Sequence, residues 1–231
     1  MNELAKTSRL LRNKISVALP LLFSEGDRIF QGENIRERYV EYIIMLHGTV
    51  RASVPLMRRA IAIAERDYPL ELLSGKLCKY MEHHIPEELG HDEWLLEDLE
   101  ILGVSRAVAL ARPPAASVAA LVGSQYYWME HYHPVSLLGY IAVMEGYPPK
   151  VERVDELVDI TGLPRGAFRT LRKHAFLDPH HRDDLDDFLD ELELSREHEA
   201  IVGMSALQTV SAAAEALGDV ASSLREKSLS A

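Results

Sequence analysis

The sequence predicts an all-α protein, a bundle of helices joined by short connections. Three observations carry this reading. Nearly every long segment repeats its apolar residues at three- and four-residue spacing. No β-branched run alternates apolar and polar residues between hairpin turns. Proline and glycine fall between the periodic segments, where helices begin and end.

The elements follow in order. A first helix is predicted over about residues 2–24, ending near Gly26, and a second from Asn34 to about Arg66 with a kink at Pro55. A third spans about 69–102, from Pro69 to the stop at Gly103, and Pro113-Pro114 opens a fourth over about 114–132. Pro134 opens a fifth, which ends before Pro148-Pro149. A short helix reaches about Ile160 and stops at Thr161-Gly162. Pro164 opens a long segment to about Leu194, and Ser195 caps a last helix to about Lys227. Seven or eight helices of this kind make one bundle-like domain over residues 1–231.

Bulk properties narrow the function. A net charge of −11 excludes the basic stripe of a nucleic-acid surface. One cysteine, Cys78, rules out an internal disulfide framework and a cysteine-rich zinc site, and fits a reducing cytoplasm. Lys6, Arg9, Arg12 and Lys14 interrupt the apolar residues at the N-terminus, so that stretch reads as an amphipathic helix and not a secretion signal. No apolar stretch reads as a membrane span, and a soluble cytoplasmic protein is expected.

The most informative stretch is His174-Ala-Phe-Leu-Asp178-Pro-His-His181. At about 100° per residue, positions 174, 178 and 181 share an arc of roughly 60° on a helix. Two imidazoles and a carboxylate facing one point suit iron, manganese or zinc. Pro179 disfavours helix at Asp178, so a bend or a fresh helix start is expected there, with Asp178 free to swing onto a metal. The competing reading is a charged surface segment, since Arg182, Asp183, Asp184, Asp186 and Asp187 follow.

The third helix carries Glu88-x-x-His91, the spacing by which bundle helices supply an acid and an imidazole to a di-metal centre. His84 lies one turn before Glu88, and Asp98 is a candidate acceptor for a ligand histidine. Glu87 is the rival to Glu88 but points about 100° away. Asp92, Glu93 and Glu97 read as a solvated face. In the fifth helix Glu145 is, apart from Tyr140, the sole ionisable group of a very apolar run. A buried carboxylate needs a metal, a cation or a proton, while one at an exposed helix end needs nothing. Gly139 points to close backbone approach at that level.

The series Glu88-x-x-His91, Leu138-Gly-Tyr-x-x-x-Met-Glu145, His174-x-x-x-Asp178-x-x-His181, with Glu-Glu-Leu-Gly-His-Asp-Glu-Trp-Leu-Leu-Glu-Asp-Leu at 87–99, resembles the haem-oxygenase-like di-iron oxidases and oxygenases over about residues 36–215. The resemblance implies a seven-helix haem-oxygenase-like bundle and two ferrous ions held by Glu88, His91, Glu145, His174, Asp178 and His181, with Glu145 or Glu88 bridging. It also implies dioxygen as co-substrate; manganese suits the same ligands in place of one iron. Some members carry a further carboxylate two turns before the first glutamate, where this chain has Met81. The implied substrate is a small amino acid or amine-derived metabolite of a biosynthetic pathway. Alternatives are oxidative C–C cleavage of a fatty or carrier-tethered acid, a metal-free oxidase or thiaminase, and a non-catalytic interaction protein that keeps the fold. Expected partners are a small-molecule substrate and an electron donor where the reaction needs one, but no nucleic acid and no membrane. The small apolar residues of the last helix allow a homodimer contact.

Other residues invite functional readings. Tyr126, Trp128 and Tyr132 read first as core and second as pocket wall. His47 and Arg51 read equally as a surface pair or as groups facing the cavity. Cys78 reads as inert core in preference to a nucleophile.

Overall fold

The computed structural model describes residues 6–223. Its eleven α-helices are α1 (Thr7–Ile29), α2 (Ile35–Val50), α3 (Ser53–Asp67), α4 (Leu72–Glu88), α5 (His91–Ile101), α6 (Arg106–Ala111), α7 (Ala116–His131), α8 (Leu137–Met144), α9 (Val151–Thr161), α10 (Arg169–Glu191) and α11 (Arg196–Ser222). Single 3-10 turns precede α8 and α10. The described residues contain no strand, so the all-α class holds, with more helices than expected. The expected helix over residues 2–5 and 224–227 lies outside the described residues.

The higher number has local causes. The second expected helix breaks at Arg51-Ala52, and Pro55 then falls in the first turn of α3, where no backbone donor is needed. The third breaks at Leu89-Gly90, where Gly90 has φ +87°, a conformation that Gly adopts without strain. Ser105 starts α6, its hydroxyl accepting from the Val108 amide at 3.4 Å. Ser195 caps α11 in the same way, through the His198 amide at 3.1 Å. α10, by contrast, runs unbroken through Pro179, where a bend or a fresh start was expected. Proline removes one helix hydrogen bond, to the Ala175 carbonyl, and packing of α10 on α1, α5, α8 and α9 holds the line nonetheless.

Two apolar clusters make up most of the core. One joins α1, α3, α4, α7, α8, α11 and the second half of α10 through residues such as Leu77, Met81, Leu138, Ile141, Leu185, Leu189 and Val202. The other joins α2, α5 and α9 to the start of α10 through Tyr39, Leu95, Leu99, Phe168 and Leu171. Three of the stretches that cross from one cluster to the other build the site: Met81 to Leu95 through the α4–α5 break, Val143 to Val154 past the end of α8, and Leu171 to Leu185 along α10. The six residues of the predicted ligand set occupy these crossings.

α11 has 27 residues and a mean hydropathy of 1.3 over its most apolar 18-residue window, which corrects the expectation that no segment has the length and apolarity of a span. Half of that window is buried within the protein, against α1, α7 and α8, as expected of a core helix rich in small residues. Its crossing with α8 explains Gly139. A Cβ there would lie 2.2 Å from the Val202 carbonyl oxygen and 2.8 Å from the Ala206 nitrogen, both rigid backbone atoms. Gly139→Ala is therefore expected to destabilise by about 3 kcal/mol. A thermal melt should show Tm lowered by roughly 6–12 °C; an unchanged Tm would mean that the two helices separate freely.

Candidate metal centre

Four helices build the site. On α4, His84 and Glu88 are four residues apart and so share a face, which Leu77 and Met81 continue into the core. α4 ends at Glu88, and the turn at Gly90 sends α5 off in a new direction with His91 as its first residue. Glu88 and His91 therefore sit on two helices, not one, yet His91 Nδ1 comes within 3.3 Å of Glu88 Oε1. Glu145 lies at the C-terminal end of α8, as the exposed-end reading had it, but its side chain is only 12% exposed. α10 supplies the turn-spaced set, with Asp178 and His181 buried and His174 half-buried.

The imidazoles form two pairs. The rings of His91 and His174 are 4.9 Å apart at 83°, and so are those of His84 and His181. Glu88 lies between the pairs, with Oε1 3.3 Å from His91 Nδ1 and 3.7 Å from His181 Nδ1. Glu145 closes one end: its Oε2 is 3.0 Å from His84 Nε2 and 3.6 Å from His181 Nδ1. Asp178 Oδ1 is 3.9 Å from His181 Nδ1. All six sequence-predicted residues are thus brought together.

Whether this set fits a metal is decided by its unsatisfied atoms. Glu88 Oε1, His91 Nδ1, Glu145 Oε2, Asp178 Oδ1 and His181 Nδ1 are buried without a hydrogen-bond partner. One such atom costs about 1–3 kcal/mol and is uncommon in a folded protein. Five in one cluster of side chains, all of nitrogen or oxygen type, match what divalent iron accepts.

The electrostatics agree. Burial, with the charges of Glu145 and Glu88, pushes the Asp178 carboxyl up to about 9. Burial lowers the His84 imidazole, but the hydrogen bond and charge of Glu145, with help from Glu88 and Glu87, outweigh it and raise it to about 9. Burial would raise Glu88, yet His91, His84 and His174 hold it below the usual carboxylate value. Burial lowers His174, which stays a neutral ligand type. Its Nδ1–H donates to the Thr170 carbonyl at 2.9 Å, leaving the Nε2 lone pair free.

The matched family is described as iron-containing redox enzymes, and the match covers residues 50–215. The chain belongs to that family. Among solved structures it is similar to a domain of unknown function with a haem-oxygenase-like fold from Shewanella denitrificans, at 19% identity and TM-score 0.78, covering 98% of this chain and 95% of that one. It is also similar to a TenA homologue from Pseudomonas syringae pv. tomato, at 13% identity and TM-score 0.65, covering 95% and 97%. Both show the haem-oxygenase-like fold. No curated protein matches.

In this member of the family, some residues behave otherwise than expected. Asp98 is fully buried but accepts no ligand histidine; its Oδ2 accepts the Thr170 amide at 3.0 Å, tying down the first turn of α10. Because the Thr170 carbonyl holds His174, Asp98 acts on that ring through one residue. His84 is the residue that sequence reasoning left outside the ligand set. Its signal was the four-residue spacing to Glu88. Glu87 stands at the edge of the cluster, its Oε2 3.1 Å from His84 Nδ1 and 3.9 Å from His181 Nε2.

His47 is buried and Arg51 exposed, and both line a separate cavity of about 720 Å³ away from the centre. Tyr126 lines that cavity too, Trp128 bonds Gln208, and Tyr132 is exposed, so none of the three walls the centre. Cys78 is half-buried, and burial, with Glu65 and Glu82, raises its thiol, consistent with an unreactive residue. A second group, Glu71, His133 and His198, is close enough to bracket an ion. However, the Val135 amide donates to His133 Nδ1 at 3.1 Å, so Nε2 keeps the proton that it donates to Glu71 Oε2 at 2.9 Å. With no lone pair left on His133, that group is a helix tie.

Proposed function

We propose that this chain is a dioxygen-activating oxidase or oxygenase working with a pair of irons on Glu88, His91, Glu145, His174, Asp178 and His181. The observation that supports the reading is the pair of perpendicular histidine couples joined by the Glu88 carboxylate, whose Oε1 lies 3.3 Å from His91 Nδ1 and 3.7 Å from His181 Nδ1, as a ligand shared by two ions would. The chemistry a bound iron pair supplies is the reduction of dioxygen.

The protein's own part is to position and to exclude water. A cavity of about 190 Å³ reaches Glu88, Glu145, His174 and Asp178, with walls that include Leu56, Met57, Leu95, Leu137 and Ile141. Thr49, Ser53, Tyr140 and Thr170 add hydroxyls for orienting a substrate. Burial, with Glu145 and Glu88, pushes the Tyr140 phenol up, so it keeps its proton and serves as a hydrogen-bond donor.

That volume supports a small metabolite. No lysine or arginine lines the cavity among the described residues, so an amino-acid carboxylate finds no cation there besides the metals. This favours the second substrate reading, a fatty or carrier-tethered acid, whose apolar body suits these walls. Tyr42, Leu46, Thr49, Met144, Tyr147 and Pro148 also line a larger cavity of about 770 Å³, towards which a longer apolar body would extend.

Anaerobic ferrous loading is expected to give about two irons per chain, since six ligands of this type exceed what one octahedral ion with an open position uses. Elemental analysis with Mössbauer spectroscopy is the check, and one iron at saturation would sink the pair.

A further inference from the structure

We propose that His84 is itself a metal ligand, and that the set His84, Glu145, His181 and Glu88 is the tighter of the two positions and fills first. This rests on the di-iron reading above but is separable from it.

The ligand atoms of these four residues all lie within 4.8 Å of one another. Donors on opposite sides of one ion are about 4.2 Å apart, so a closure of roughly half an ångström places all four on a single cation. His84 Nε2 already stands 3.1 Å and 3.0 Å from the two oxygens of Glu145. Its other nitrogen is fixed by Glu87 Oε2 at 3.1 Å, the orienting contact that ligand histidines generally have. The ring is further held by Tyr80, at 5.6 Å and 17°, which itself stacks on Phe188 at 4.4 Å and 5°.

The opposite position is less prepared. Among the described residues His91, His174 and Asp178 join no group of three or more whose ligand atoms lie within 4.8 Å of one another. A site whose ligands are oriented beforehand loses less free energy to ordering and so binds more tightly. The chain has Met81 where a further carboxylate would stand, and His84, one turn nearer Glu88, supplies the added ligand from the same helix.

Cobalt(II) added anaerobically to the metal-free full-length protein tests this, with d–d absorption and retained metal as readouts. The wild type should bind two ions in separated phases. His84→Gln should weaken the tighter phase about 100-fold and Glu87→Gln about 10-fold, whereas His174→Gln should remove only the weaker phase. Glu87 is 38% exposed, so Glu87→Gln decides the matter if His84→Gln loses helicity. An unchanged tight phase in His84→Gln, or in Glu87→Gln when that variant must decide, would overturn the proposal while two wild-type phases kept the pair. A single wild-type ion sensitive to His84 but not to His174 would do the reverse.

Discussion

Replacing His174 or His91 by alanine is expected to abolish oxygen consumption by the ferrous-loaded protein, a loss of at least about 100-fold, with helix content near that of the wild type. The two rings lie 4.9 Å apart beside Glu88, and under the proposed assignment both would hold the ion on the His91 side. Neither belongs to an apolar cluster, and the packing that holds α5 and α10 comes from Leu95, Leu99, Phe168 and Leu171. Bundle stability follows that packing, so the fold should survive the change. Oxygen-electrode rates and circular dichroism together check the prediction. Loss of helicity in both variants would make these histidines structural, and retained oxygen consumption would remove them from the centre.

Asp178→Asn should act in opposite directions on the empty and the loaded protein. The folded Asp178 carboxyl titrates at about 9 against an ordinary 3.8, because it is buried beside Glu145 and Glu88. Between those values the folded state holds a proton that the unfolded state has released, so the stability of the metal-free protein falls as pH rises through that window. Asparagine does not ionise and removes this contribution. With metal chelated, the variant should be more stable than wild type at pH about 8, by about 2 kcal/mol or roughly 4–8 °C in Tm, and the gap should close towards pH about 4. With iron bound the order should reverse, since the cation takes the place of the proton and asparagine is a poor ligand. Melts in chelator and in ferrous iron across that range are the measurement. Parallel pH profiles for the two metal-free proteins would show that Asp178 ionises freely.

Most of the ligand set was legible in the sequence because helical spacing alone places residues on a face: His174, Asp178 and His181 follow from it, and so does the stripe of His84 and Glu88. The helix starts at Ser195 and the close approach at Gly139 were legible for the same local reason, one side-chain cap and one missing Cβ. Other features were decided by contacts between distant segments. Gly90 could have continued a helix or broken it, and only its positive φ set His91 on a separate helix aimed back at Glu88. Pro179 disfavours helix locally, but packing of α10 on four neighbours overrode that preference. His84 was placed on the stripe of Glu88 by its spacing, but only α8, which brings Glu145 within 3.0 Å of its Nε2, sets it in the cluster. Asp98 was expected at a histidine and went to the Thr170 amide instead, since the start of α10 reaches it first. Spacing determines which side chains share a face, because the backbone repeat is fixed by local geometry. Tertiary structure decides which faces meet, because that depends on how the two apolar clusters pack, and the seam between them is where these histidines and carboxylates converge.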